Sequence, residues 1–309
     1  MNILNRLNSV VDYVERNITE EIDLNHLAGI ACCSTYNFQR MFAFITEVSI
    51  VEYIRRRRLT LATFELQHSN VKIIDLASKY GYDSPISFTR AFKALHGITP
   101  SEARELNTPL KAFSRMTFQI TIKGVSVLNY RIVKTEALRV FGLEGIISTI
   151  GDKKYFPNPD SLWNENFQNG KFDRLYSDIG EVKSHFYNKM FIRNDMDRIH
   201  AMLNYNEIDA TTHGYMQFGF ITSESKTDNY KVVEIPASTW VIFTSDPIDD
   251  CCDSEKTWTE LYKRFYNEWL PTSEFEKANS PDLEMFGGTP GQRYAELWMP
   301  IIKKKGDQL

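Results

Sequence analysis

Cysteine is scarce in this chain of 309 residues: four occur, as the adjacent pairs Cys32-Cys33 and Cys251-Cys252. Neighbouring cysteines rarely meet the geometry of a structural disulfide, so a disulfide framework is excluded and a reducing compartment fits. The six histidines, at 26, 68, 96, 185, 200 and 213, show none of the i, i+4 or C-x-x-C spacings that gather metal ligands. No metal and no cofactor are expected, and no Ser-His-Asp or Cys-His pattern suggests nucleophilic catalysis. No apolar run approaches the ~18 to 20 residues of a membrane span. Met1-Asn2-Ile3-Leu4 leads into Asp12 and Glu15 without a basic stretch and apolar block, so a secretory signal is not expected and a cytoplasmic location is. Charge of one sign is also missing. With 36 Lys+Arg against 40 Asp+Glu, the chain is no histone-like polycation.

What is present divides unevenly. The length predicts two domains, and 42% apolar residues suffice for ordinary cores. Residues 1–108 hold 11 aromatics and residues 109–309 hold 29, including all five tryptophans (163, 240, 258, 269 and 298). The first part carries 12 basic and 12 acidic side chains, which leaves 24 and 28 for the second and puts the whole net charge of -4 there.

The first part repeats. Phe38-x-Arg40-x-Phe42 returns as Phe88-x-Arg90-x-Phe92, 50 residues later, and Leu27-Ala28 returns as Leu76-Ala77. In the first copy Leu24, Leu27, Ala28 and Ala31 have helical spacing, and Ser34 can cap a helix that turns Phe38, Met41 and Phe42 inward. In the second, Ile73, Leu76, Ala77 and Tyr80 do the same. Gly81 then supplies the turn, and Ser84-Pro85 an N-cap followed by proline at the first helical position. Each copy reads as a helix-turn-helix. Between them Ile50 to Gln67 predicts one helix, about 18 residues and roughly 27 Å long. Such a rod suits two recognition helices held about one DNA turn (~34 Å) apart. A helical bundle that merely repeats is the plainer alternative.

The run Leu24-x-x-Leu27-Ala28, Ser34-x-x-x-Phe38-x-Arg40-x-Phe42, Tyr53-x-x-x-Arg57-Arg58-Leu59, Gly81-Tyr82, Ser87-Phe88-x-Arg90-x-Phe92-Lys93 and Gly97-Ile98-Thr99-Pro100-Ser101 resembles the DNA-binding domain of AraC/XylS transcription regulators over about residues 5–105. The resemblance implies an all-α bipartite helix-turn-helix domain in residues 1–107, with double-stranded promoter DNA as its partner. It makes Ser34 to Phe44 the first recognition helix, with Tyr36, Gln39 and Arg40 projecting toward bases and phosphates. The chemistry suits this: Gln39 can pair with an adenine edge, Arg40 with guanine or phosphate, and Tyr36 can lie on a thymine methyl. In the second unit Pro85 and Ile86 cannot hydrogen-bond base edges, so Ser84, Ser87 and Arg90 are expected to touch mainly backbone. Of Arg55-Arg56-Arg57-Arg58, one or two are expected at phosphates and the rest in ion pairs within the domain, the family match favouring that role for Arg57 and Arg58.

Asn107-Thr108-Pro109 breaks the helical pattern, and residues 108–115 are read as a linker. Beyond it the period alternates. Strands are predicted at Thr117 to Ile122, Tyr130 to Val133, Ala137 to Leu143, Tyr215 to Ile221, Tyr230 to Val233, Thr239 to Phe243 and Tyr294 to Ile301. Helices are predicted at Leu162 to Ile179 and Lys256 to Leu270. Strand, helix and strand near Ala137, Trp163 and Phe218 are echoed near Trp240, Trp258 and Trp298, which suggests two related halves with a cleft between them.

This layout, with Glu296-x-x-x-Pro300 in the last strand, resembles the GyrI-like effector-binding domain, and its join to an AraC-type reader resembles the Rob-type regulators. Residues 116–309 are therefore expected to be an α+β GyrI-like domain of two related halves. The resemblance puts Glu296 at the floor of the effector site. A carboxylate among rings suits a cation, each ring adding roughly 0.5 to 2 kcal/mol of cation–π attraction. Tyr294 and Trp298 share its face by alternation. Trp163, Phe218, Trp240, Trp258 and Tyr262 are further candidates, at least half of them expected in the core. A small cationic or hydrophobic effector is thus expected, in a protein that is not an enzyme. Two alternatives stand: a hydrolase using Glu296 with Tyr294 or Tyr262, and a ligand-free module that positions the reader or contacts RNA polymerase.

Overall fold

The computed structural model describes residues 3–104, 110–118, 128–148, 159–180, 197–208, 212–248, 254–288 and 292–304. The chain forms two compact units, Met1–Ile122 and Lys123–Leu309.

Local sequence sets the helices of the first unit. In α1 (Ile3–Arg16), Leu7, Val10, Val11 and Val14 fall on one stripe and are buried. Asp23 caps α2 (Leu24–Ala31), Ser34 caps α3 (Thr35–Thr46) and Ser49 caps α4 (Ile50–His68), each accepting a backbone N–H of the first turn. The second copy comprises α5 (Ile73–Lys79) and α6 (Pro85–His96), and α7 (Pro100–Ala103) follows. Both α6 and α7 begin with reciprocal capping boxes and proline at the helix start. The tight turns of the two copies need a left-handed residue at matching places. The second copy has Gly81 there (φ 74°), whereas the first uses Cys32 (φ 56°) against the usual preference. α4 serves both copies. Its first half buries Ile50, Tyr53 and Ile54, and its second half sends Leu59, Ala62 and Leu66 into a core with Leu76, Phe88 and Phe92.

The stretch expected to be a free linker is tied down. Phe113 N donates to Thr60 Oγ1 (3.0 Å) and Met116 N to Tyr53 Oη (3.3 Å). Asn8 brackets Phe118, donating to its carbonyl (3.0 Å) and accepting its N–H (2.9 Å). The Phe118 ring meets Phe42 edge-on at 5.9 Å. Residues 110–118 thus belong to the helical unit, because α1 and α4 side chains satisfy their backbone and bury Phe118. The boundary lies after Ile122, not at 108–115. Thr117 and Phe118 form no strand, and the rest of the strand expected to Ile122 lies outside the described residues.

The second unit is one antiparallel sheet in the order β1-β6-β9-β8-β3-β4-β2-β5, with β7 (Phe275–Lys277) on β9. Its first half comprises β1 (Tyr130–Thr135), β2 (Leu138–Ser148), α8 (Pro159–Gln168), α9 (Lys171–Ile179), β3 (His200–Glu207) and β4 (Thr212–Phe220). The second comprises β5 (Lys231–Ile235), β6 (Ser238–Thr244), α10 (Ser254–Lys263), β8 (Asp282–Gly287) and β9 (Tyr294–Lys303). The halves repeat as expected, and they exchange their first strands: β1 pairs with β6, and β5 with β2. The single helix expected over Leu162 to Ile179 is broken by Gly170 (φ 73°). The helix expected to Leu270 continues past α10 as a π-helical turn, Arg264–Trp269.

The helices cover one sheet face. Glycines on that face admit them: a Cβ on Gly145 would stand 2.2 Å from Leu162 Cδ2, and one on Gly219 would stand 2.4 Å from Ile179 Cδ1. The opposite face carries the core of Val140, Met202, Phe218, Trp240, Ile242, Met285 and Trp298.

Candidate effector site and DNA-reading helices

On the helical face the pairing register aligns one residue per strand into a row: Leu143, Gln217, Ala201, Glu284, Leu297, Phe243 and Tyr130. Its middle is polar. Gln217 is fully buried and Glu284 is 6% exposed. A helix attends each of them: Asn166 of α8 donates Nδ2 to Gln217 Oε1 (2.8 Å), and Tyr262 of α10 donates its hydroxyl to Glu284 Oε1 (3.1 Å). Burying such groups costs several kcal/mol unless hydrogen bonds offset it, so a polar pair at the centre of an apolar sheet calls for a reason.

Aromatic rings surround this centre. Phe286, two residues beyond Glu284 on the same face, meets Trp163 of α8 edge-on at 5.5 Å and Trp258 of α10 edge-on at 5.4 Å. All three rings are half-buried. Trp163 also donates Nε1 to Tyr215 Oη (2.6 Å) and packs on Phe172 at 5.6 Å. A buried carboxylate below partly open rings is the arrangement that holds an organic cation, through charge pairing and ring quadrupoles together.

Glu296, expected at the floor of the effector site, is engaged within the sheet. Glu296 lies on the opposite face and is 3% exposed. Arg131 of β1 donates Nη2 to its Oε2 (2.6 Å), Trp298 donates Nε1 to the same oxygen (3.0 Å), and Thr244 donates to Oε1 (3.3 Å). The chain's own guanidinium fills the cation position, 5.9 Å from the Trp298 ring centre. The physical reason is register: Arg131 faces Ile242 across β1 and β6, so it arrives beside Thr244 and Glu296. Tyr294, Trp298, Phe218 and Trp240 share that face and are core, Trp240 donating Nε1 to Thr135 (2.9 Å). Of the residues expected at the site, Tyr262 reaches Glu284, and Trp163 and Trp258 meet Phe286 on the same face. Sequence reading missed Glu284, Phe286, Gln217 and Asn166. The alternation of Asp282, Glu284 and Phe286 with Leu283 and Met285 was the available sign of a strand.

In the helical unit α3 is the expected recognition helix, but Tyr36 is 1% and Gln39 6% exposed, so neither offers a surface to DNA in this structure. Half-buried Arg40 donates Nη1 to Tyr36 Oη (2.5 Å), its guanidinium 5.4 Å from the Tyr36 and Phe44 ring centres. In α6 the hydroxyls of Ser84 and Ser87 are engaged in the capping box, Ser87 N donating to Ser84 Oγ at 3.1 Å. Arg90 is exposed, as is Ile86 at 73%.

The arginine tetrad is used within the unit. Arg57 forks onto Glu15, Nε to Oε1 and Nη2 to Oε2, both 2.7 Å. Arg58 donates to the carbonyls of Ile18 (2.8 Å) and Glu20 (2.6 Å), and Arg55 and Arg56 both pair with Glu52. Burial alone would raise the Glu15 carboxyl, but the hydrogen bonds from Arg57 and Tyr53 hold it below its usual range. Arg57 and Arg58 thus anchor α4 against α1 and the turn after it. Arg55 and Arg56 remain partly exposed beside Glu52.

Comparison with known proteins agrees with both units. Residues 27–106 match the family described as a helix-turn-helix domain, and residues 131–301 match that described as integron-associated effector binding protein. The HTH-type transcriptional activator AarP of Providencia stuartii is 38% identical over 102 residues, 33% of this chain and 76% of that protein. The multiple antibiotic resistance protein MarA of Escherichia coli strain K12 is 33% identical over 101 residues, 33% of this chain and 80% of that protein. The solved structure of SAV2435 bound to tetraphenylphosphonium is similar with a TM-score of 0.42 and 15% identity, over 58% of this chain and 95% of that one. No described helix is long and apolar enough to cross a membrane. The chain belongs to the integron-associated effector binding protein family, carries an AraC-type helix-turn-helix domain related to MarA, and is a DNA-binding transcription regulator with an effector-binding domain.

Proposed function

We propose that the C-terminal domain holds a small lipophilic cation at Glu284, between α8 and α10, without turning it over. The observation that carries this is the buried Glu284 carboxylate on the sheet face where the rings of Trp163 and Trp258 meet Phe286, two residues along the same strand. The acidic excess of this part of the chain favours the same ligand charge. Tyr262 donating to Glu284 also supports a second reading, in which a glutamate and a tyrosine act as general base and acid on a bound ester or amide.

DNA reading by α3 requires Tyr36 and Gln39 to be uncovered. That is a difference between two states on which an effector can act, provided it binds one state more tightly. Arg40 and Arg90, with Arg55 and Arg56 at phosphates, are the side chains we assign to the duplex.

The test is titration with tetraphenylphosphonium followed by tryptophan fluorescence, with the recovered ligand analysed by mass. Glu284→Gln is expected to weaken binding at least tenfold, Glu296→Gln to change it little, and the ligand to return unaltered. Loss in Glu296→Gln alone would move the site to the other face, and a hydrolysed product from an ester analogue would establish the catalytic reading. Promoter-fragment retention should fall in Arg40→Ala, and unchanged retention would remove α3 from the interface.

A further inference from the structure

Gln217 is fully buried, and while its Oε1 accepts from Asn166, its Nε2 is without a hydrogen-bond partner among the described residues. A buried donor left unpaired is destabilising, so its retention at the centre of a packed sheet calls for an explanation. Its place supplies one. In the row across the helical face, Gln217 and Glu284 stand on β4 and β8, with only Ala201 of β3 between them. Two strand spacings put their backbones roughly 9.5 Å apart. The residue between ends at Cβ, so nothing longer than a methyl group rises from the sheet between the amide and the carboxylate.

We propose that the effector is a bifunctional cation, bearing a hydrogen-bond acceptor such as a carbonyl a few ångströms from its positive centre. Glu284 takes the charge, Gln217 Nε2 donates to the acceptor, and Ala201 lies under the aromatic body that joins them. Asn166 is a positioning residue: by occupying Gln217 Oε1 it presents Nε2 to the ligand. This proposal rests on the cation reading of the Glu284 site and narrows it. A simple aryl cation satisfies only half of the polar centre, whereas a keto- or amido-substituted one satisfies both.

The experiment compares two probes that differ by one carbonyl, 4-benzyl-N-methylpyridinium and 4-benzoyl-N-methylpyridinium, by calorimetric titration of the full chain. The benzoyl compound should bind about tenfold more tightly, the gain expected for pairing a buried donor. Gln217→Met should remove that preference, and Asn166→Ala should reduce it in part. Glu284→Gln should weaken both probes. Equal wild-type affinities, both lost in Glu284→Gln, would overturn the acceptor site and leave the cation site standing. Failure of both probes to bind the wild type would overturn the cation site and this proposal with it. The wild-type comparison requires no variant to fold.

Discussion

Glu284 and Glu296 are twelve positions apart on neighbouring strands, and both are nearly buried, yet they sit in opposite situations. Glu296 is clasped by a guanidinium, an indole N–H and a hydroxyl, so its charge is matched within the sheet. Glu284 takes a phenol's hydrogen bond among half-open rings at the meeting of the two helices. The difference teaches that a buried carboxylate is read by its partners and its face, not by the motif around it. Replacing a matched buried pair with apolar residues can be nearly neutral, while removing one member strands a charge.

The sharpest way to break this comparison is Arg131→Met. It leaves Glu296 buried beside an apolar chain and should cost about 3–5 kcal/mol in urea unfolding, most of it recovered in Arg131→Met/Glu296→Leu. Equal losses in the single and double variants would show that Arg131 acts through packing alone. Next in size, Glu296→Gln should destabilise by about 2 kcal/mol more than Glu284→Gln, since only the former leaves Arg131 without its carboxylate. A larger loss in Glu284→Gln would reverse the two roles.

The same central strands provide a third measure. Burial lowers His200 to about 3, its Nδ1 accepting Phe286 N at 3.2 Å. Below about pH 6.5 the unfolded chain takes up a proton that the folded chain refuses until about pH 3. Stability should therefore fall with pH across that window, by up to about 1.4 kcal/mol per unit from this group. His200→Leu should flatten that part of the profile between pH 6 and 4, and an unchanged slope would refute it. The smallest effect lies in the other unit: Ser84→Ala should cost about 1 kcal/mol of thermal stability through the lost cap of α6. If DNA retention fell while stability held, Ser84 would be a phosphate contact after all.

The helical unit was largely legible because its signals are local. Caps at Ser34 and Ser84, proline at the start of α6 and apolar spacing in α4 each act within a turn or two of chain. The burial of Tyr36 and Gln39 was not legible, since helical period assigns a face but not what covers it. In the sheet unit, alternation located most strands but missed β3, β7 and β8, of which β3 and β8 carry Ala201 and Glu284. In β8 the acidic residues at every second position, Asp282 and Glu284, resemble a solvated loop until a helix is laid over them.

The sequence by itself determined two domains, a duplicated helix-turn-helix, a repeated strand-helix-strand unit and the concentration of rings in the second part. Only the tertiary structure decided which glutamate meets those rings. Side-chain parity is a property of a single strand, whereas register is a property of two: Glu284 stands opposite Leu297, so Glu296 is turned to the other face. The backbone pairing that sets this register is not written in any one strand, and with it the row from Gln217 to Glu284 comes into being.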